Sequence, residues 1–351
     1  MTLSSAFLLA LAALCLGIAN AAGKPVQVYI LMGQSNMLGE GKRAGNTNGT
    51  LEFAVQTEHK YPYLWDAATG NWTVRSDVRN VFIMGSGNQS FADSKLENNE
   101  WMTNGPGNKR ATIGPELGIG FTIGNYTTST TGGGTMILKG CIGDRALGWD
   151  LLPPGSPSFD YTDPKNASLV WTYAGYHQSP ARWAKGTTPT PIGWEAGEQY
   201  DGDTSRMASI LSNLGTYYPG ATEFEVAGFL WWQGDRDSRD MALAEHYEQN
   251  LVRFIKTVRT QFNAPNAKFV TASLGQTVKG STDGGGLILD AMLNVDGRSG
   301  KYPEFKGNVA AVYTHPLSMG SSSGSHYGGN AETYMNIGQA MGEAMVALLK
   351  G

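Results

Sequence analysis

The sequence predicts an α/β protein with a central parallel sheet and helices on both of its sides. Three observations predict it. Short apolar runs bounded by turn residues recur along the chain; amphipathic segments of helical period alternate with them in the second half; and no internal repeat or linker divides the 351 residues. A single domain with one large core is expected over residues 22–351.

In chain order, the predicted strands are 26–32, 135–139, 224–232, 268–274 and 308–314. Each is almost wholly apolar, as a strand covered on both faces must be. Three helices are expected. Met207, Ile210, Leu211 and Leu214 share a face in the first. Ala244, Tyr247, Leu251, Phe254, Ile255, Val258 and Phe262 do so in the second, and Ile337, Ala340, Met341, Ala344, Met345 and Leu348 in the third. Residues 40–112 and 150–204 lack clean periodicity and read as loop-rich insertions, the first rich in Gly, Asn and Thr, the second holding many prolines with Trp171, Trp183 and Trp194. Long loops of this kind are often functional. The runs Gly132–Gly134 and Gly284–Gly286 lack the Lys-Ser/Thr of a phosphate-binding loop and read as turns.

Residues 1–21 stand apart. Leu3–Ile18 carries no charge, and Ala19-Asn20-Ala21 has the small-x-small pattern of a signal peptidase site. The stretch is short for a spanning helix. A cleaved leader and an extracellular or periplasmic location are expected. Five sequons fit export, at Asn48, Asn71, Asn88, Asn125 and Asn166, all in stretches that read as loops. Removing the leader removes Cys15 and leaves Cys141 alone, so no internal disulfide can form. A lone cysteine reads as a small buried apolar residue. The net charge of −4, without a run of Lys or Arg, argues against nucleic acid as a partner.

Four segments follow predicted strands or precede the last helix: Gly33-Gln34-Ser35-Asn36-Met37, Gly140-Cys141-Ile142-Gly143-Asp144, Trp231-Trp232-Gln233-Gly234-Asp235 and Gly324-Ser325-His326-Tyr327. Reactive groups of open α/β sheets gather at the C-terminal ends of strands. Ser35 is a candidate nucleophile there, against the plainer reading of a helix cap. A serine nucleophile needs a base, and histidine is the expected one. Of five histidines, His246 falls within an amphipathic helix, and His59 and His177 lie in the insertions. His315 follows a strand and competes with His326. No His/Cys/Glu group has zinc spacing, and no cofactor is expected.

Together the four segments resemble the SGNH hydrolases, and more closely their sialate O-acetylesterase-like group, which includes carbohydrate esterase family 6. The resemblance implies a three-layer α/β/α fold of flavodoxin-like type. It also implies a serine esterase acting on O-acetylated carbohydrate. It gives Ser35 as nucleophile, His326 as base, and an oxyanion hole of the Ser35 N–H, Gly143 and Gln233. Gln34 and Asn36 are then expected to bind substrate. The family usually has Asp three residues before the histidine, where this chain has Ser323. Asp235, in the Gln-Gly-acid segment, is the expected acid. Asp237, a backbone carbonyl, no acid at all, or a structural ion pair of Asp235 with Arg236 or Arg239 are the alternatives. The absence of the usual Asp also leaves open a catalytically inactive carbohydrate-binding protein on the same fold.

Overall fold

The computed structural model describes residues 24–351. The expected leader and its cleavage site lie outside the described residues. One seven-stranded sheet organises the chain. Its strands are β1 (Val26–Gly33), β2 (Val74–Met84), β3 (Lys95–Thr103), β4 (Thr135–Cys141), β5 (Phe224–Trp232), β6 (Lys268–Ala272) and β7 (Val309–Val312). Their spatial order is β7-β6-β5-β1-β4-β2-β3. All neighbours are parallel except β2 and β3, which pair antiparallel at one edge.

The longer helices are α1 (Glu116–Thr130), α2 (Glu198–Ser212), α3 (Met241–Gln261), α4 (Gly284–Val295) and α5 (Ala331–Lys350). Side chains of a strand point alternately to its two faces. In β1, Val28, Ile30 and Met32 enter one core with Met207 of α2, Leu251 and Phe254 of α3, and Ile288 of α4. Tyr29 and Leu31 enter the other with Ile119 and Ile123 of α1 and Ile337 and Met341 of α5. The sheet is therefore sandwiched between helices, as the sequence predicts. Among the described residues no helix is long and apolar enough to cross a membrane.

The stretch 40–112 differs from its expected character as an insertion. It holds β2 and β3, two strands of the main sheet. β3 is the edge strand and β2 its inner neighbour, and their polar side chains find partners on each other and on the segment after α2. Arg79 of β2 donates to Asn99 and to the Tyr217 carbonyl, and Asn80 to Glu100. Residues 150–204 do form a separate layer, a three-stranded antiparallel sheet of Phe159–Thr162, Val170–Tyr173 and Arg182–Ala184. It rests on α3, where the Phe159 ring stacks 3.5 Å from that of His246.

Two helices depart from expectation. α1 contains Gly118, Gly120 and Gly124, a composition that disfavours helix. It pairs closely with α5, and a Cβ on Gly118 would lie 2.8 Å from the Met335 carbonyl oxygen. This helix also carries Asn125, so that sequon is helical rather than in a loop, and the Asn125 side chain accepts from Arg75. Gly284–Gly286 are not a turn either. They open α4, whose N-cap Asp283 accepts from the Gly286 N–H. All five sequon asparagines are exposed.

The chain leaves β1 toward β2, β3 and β4 on one side, then crosses to β5 on the other. β1 thus sits where the strand order reverses, with β4 and β5 as its neighbours. The crevice above its C-terminal end is the favoured ligand position in such sheets.

Candidate active site

β1 ends at Gly33, with φ +154°. A Cβ there would lie 2.3 Å from the Trp232 carbonyl oxygen, so only glycine lets the chain turn this close to β5. Ser35 then opens a single-turn helix, Ser35–Leu38, closed by the Gly39 N–H on the Ser35 carbonyl at 3.0 Å. Ser35 is 9% exposed at the crevice. Its N–H has no partner among the described residues, as expected for the first turn of a helix. Gly143 borders it from the loop after β4. A Cβ on Gly143 would sit 3.7 Å from the Ser35 Cβ.

Three loops, after β1, β4 and β5, are tied beneath the crevice by buried amides. Gln34 Oε1 accepts from Gln233 Nε2 at 3.1 Å and from the Arg236 N–H at 3.1 Å. Gln233 Nε2 also donates to the Arg145 carbonyl at 2.8 Å and to Asp237 Oδ2 at 2.6 Å. The Asp237 carboxylate accepts from the Leu147 and Gly148 N–H groups at 2.9 and 2.8 Å. Burial pushes the Asp237 carboxyl up to about 6, against the pull of these donors.

This network corrects two expectations. Gln233 is wholly buried, and its two amide protons serve three internal acceptors, leaving none for an oxyanion. Gln34 and Asn36, expected to bind substrate, are buried as well. Asn36 Nδ2 donates to Ser323 Oγ at 2.7 Å. These side chains hold the loops and do not face the crevice.

Asp235 follows Gln233 on the crevice side. Its carboxylate pairs with the Arg239 guanidinium, which also approaches Asp144 at 3.7 Å. Its Oδ1 lies 3.7 Å from where a Cβ on Gly324 would be. Asp235 thus faces the segment that leads to His326. Asp237, the rival acid, is occupied by the loop after β4.

The segment Ser323–Gly329 is fastened at both ends. Ser323 is held by Asn36, and its own N–H donates to Gln276 Oε1 at 3.1 Å. Tyr327 is fully buried, its hydroxyl accepting from the Gly275 N–H at 3.2 Å. Between them the backbone at His326 and Tyr327 is left-handed, with φ +53° at both. Such strain in non-glycine residues collects at functional sites. His326 is partly exposed, and among the described residues neither its ring nor the Ser35 hydroxyl has a hydrogen-bond partner. The structure therefore sets Gly143 beside Ser35 and Asp235 beside Gly324, and leaves the serine–histidine bond unmade. Catalytic hydrogen bonds commonly tighten only once substrate is bound. Among the other histidines, His315 Nδ1 is engaged by the Gly275 carbonyl at 2.8 Å, and His177 Nε2 by Asp201 at 2.9 Å.

A cleft of about 300 Å³ opens next to Arg239, lined also by Trp149, Tyr173, Leu243, Arg182, Arg236 and Asp240. Cys141 is buried beneath the site with its thiol pushed up to about 12 by desolvation, unsuited to nucleophilic work. Among the described residues no group of three or more His, Cys, Asp or Glu could hold a metal ion.

Residues 174–347 match the family described as carbohydrate esterase, sialic acid-specific acetylesterase. Gln233, Asp235 and His326 lie within the match, and Ser35 and Gly143 before it. Among solved structures, a protein from Arabidopsis thaliana is similar at 16% identity and a TM-score of 0.50, over 92% of this chain and 98% of that one. A carbohydrate acetylesterase from Xanthomonas citri is similar at 14% identity and a TM-score of 0.50, over 91% of this chain and 55% of that one. At such identities the likeness bears on the fold. Among curated proteins none matches the chain in sequence.

Proposed function

We propose, from the place of residues 174–347 in the sialic acid-specific carbohydrate esterase family, that the chain is a serine esterase removing acetyl groups from O-acetylated carbohydrate. The observation that carries this reading is the apposition of Gly143 to Ser35 where the strand order reverses. In this reading the oxyanion that forms on a carbonyl attacked by Ser35 is met by two backbone N–H groups, that of Ser35 and that of Gly143.

In the proposed reaction His326 takes the Ser35 proton as the hydroxyl attacks the acetyl carbonyl. The negative charge develops toward the Ser35 and Gly143 N–H groups. Asp235 fixes the imidazole and stabilises it when charged, and the protonated histidine then delivers its proton to the sugar oxygen. Water, activated by the same histidine, releases acetate from Ser35. The cleft beside Arg239 offers a sugar ring the indole of Trp149 and hydrogen bonds from three arginines. Residues 1–21 and the exposed sequon asparagines support secretion as a glycoprotein.

Acetate release from acetylated sialic acid, acetylated xylan and aryl acetates, wild type against Ser35→Ala, tests the reading. Activity on at least one ester that vanishes in the variant is expected. A wild type inert on all three, yet binding acetylated glycan, would favour the inactive binding protein, a reading that the unmade Ser35–His326 bond keeps in play.

A further inference from the structure

β4 carries a lysine at the centre of the fold. Lys139 is wholly buried, between Leu138 and Gly140 and opposite Leu31 of β1. Its Nζ donates to Glu116 Oε2 at 2.8 Å and to the Leu38 carbonyl at 3.0 Å, and lies 3.4 Å from the Met37 carbonyl. It also sits 4.2 Å from the centre of the Phe82 ring. Met37 and Leu38 are the last residues of the single turn that Ser35 opens. Glu116, at the start of α1, is fixed in its turn by the Gly114 N–H on Oε1 at 3.1 Å.

A four-residue helix cannot hold its own shape in water, and its last carbonyls need donors from elsewhere. A buried ion pair is poor evidence for stability, because desolvation offsets its attraction and an apolar pair of the same volume often serves the fold as well. What an apolar pair cannot supply is a donor for the two carbonyls on the nucleophile's turn. We infer that Lys139, anchored by Glu116, is a positioning residue for Ser35. It fixes the turn from below and so sets the Ser35 hydroxyl and N–H against Gly143. The inference rests on the esterase reading of Ser35.

The test replaces the pair by apolar residues, K139M/E116M, and separately replaces the lysine by the other strong donor, K139R. Thermal unfolding, kcat and KM on an aryl acetate, and the rate of Ser35 labelling by a fluorophosphonate are measured for each. The double variant is expected to fold with a lowered unfolding temperature, since two carbonyls and the Gly114 N–H lose their partners, and with kcat and labelling rate lowered by about 100-fold and KM within about twofold, the scale of a misplaced reacting group. K139R is expected to recover at least about tenfold of the lost kcat through restored donation to the carbonyls. A double variant with wild-type kcat, or K139R no better than the double variant, overturns the inference. So does a double variant that fails to fold while K139R folds, which assigns the lysine to stability. A wild type without ester activity or labelling overturns the esterase reading first. An active wild type with an unaffected double variant overturns only the role of Lys139.

Discussion

The amide of Asn36 donates to the hydroxyl of Ser323 at 2.7 Å, joining the residue after Ser35 to the residue three before His326. Both side chains are buried. Ser323, where the sequence resemblance leads one to expect an aspartate, is thus a structural link here, and the loop bearing His326 is pinned to the turn bearing Ser35. Removing the acceptor leaves a buried donor unpaired. Ser323→Ala is expected to cost about 1–3 kcal/mol and to lower kcat. A double-mutant cycle with Asn36→Ala, read by urea unfolding, should give a coupling of about 1 kcal/mol. Additive effects would mean that the contact carries no energy.

Gly143 offers a cleaner separation of chemistry from stability. It has an ordinary backbone conformation, and an added Cβ would meet Ser35 at plain van der Waals distance. Gly143→Ala is therefore expected to fold with a stability change within about 1 kcal/mol. The methyl would stand where the substrate carbonyl approaches, so kcat/KM should fall by about 100-fold or more, as when an oxyanion donor is lost. Aryl acetate kinetics beside calorimetry check this, and unchanged kinetics would remove Gly143 from the oxyanion hole.

Asp235 and Asp237 should divide their roles. Asp235 pairs with Arg239 and lies beside Gly324, whereas Asp237 holds two backbone N–H groups and Gln233. Asp235→Asn is expected to keep the fold and lose most activity. Asp237→Asn is expected to be destabilised by about 1–3 kcal/mol, since an amide cannot satisfy all three donors. The opposite pattern would exchange the two assignments.

The same burial gives a pH signature. Asp237 is raised from 3.8 to about 6 in the folded chain, which therefore binds a proton there more tightly than the unfolded chain does. Its contribution to stability is fully present below the unfolded pKa and is lost as pH rises through about 6. Wild type should accordingly gain on Asp237→Asn by about 1.4 kcal/mol for each pH unit between roughly 6 and 4. Asp203, raised to about 6 by its own burial, is common to both proteins and cancels in the difference. Urea unfolding at several pH values measures it, and a pH-independent difference would contradict the raised carboxyl.

The strands β1 and β4–β7 were legible because a strand covered on both faces is spelled in apolar residues, as in Val28-Tyr-Ile-Leu-Met32. β2 and β3 were not, because Arg79, Asn80 and Glu100 find hydrogen-bond partners in neighbouring polar groups and hide the pattern. α1 was hidden by glycines that serve its close approach to α5. At the site, Gly33-Gln34-Ser35 was readable because a tight turn after a buried strand has few spellings. The inward aim of Gln34, Asn36 and Gln233 was not, since it depends on how three distant loops meet. A lysine inside an apolar strand was a visible signal for Lys139, but its target could be found only in three dimensions.

The central claim is that Ser35 is an activated nucleophile. Incubation of the wild type with a fluorophosphonate, followed by peptide mass mapping, tests it most directly. The account predicts one adduct per chain, on Ser35, with parallel loss of acetate release and sharply slower labelling in His326→Ala. Acetate release that persists in Ser35→Ala, or an adduct on any other residue that accounts for inhibition, would contradict it.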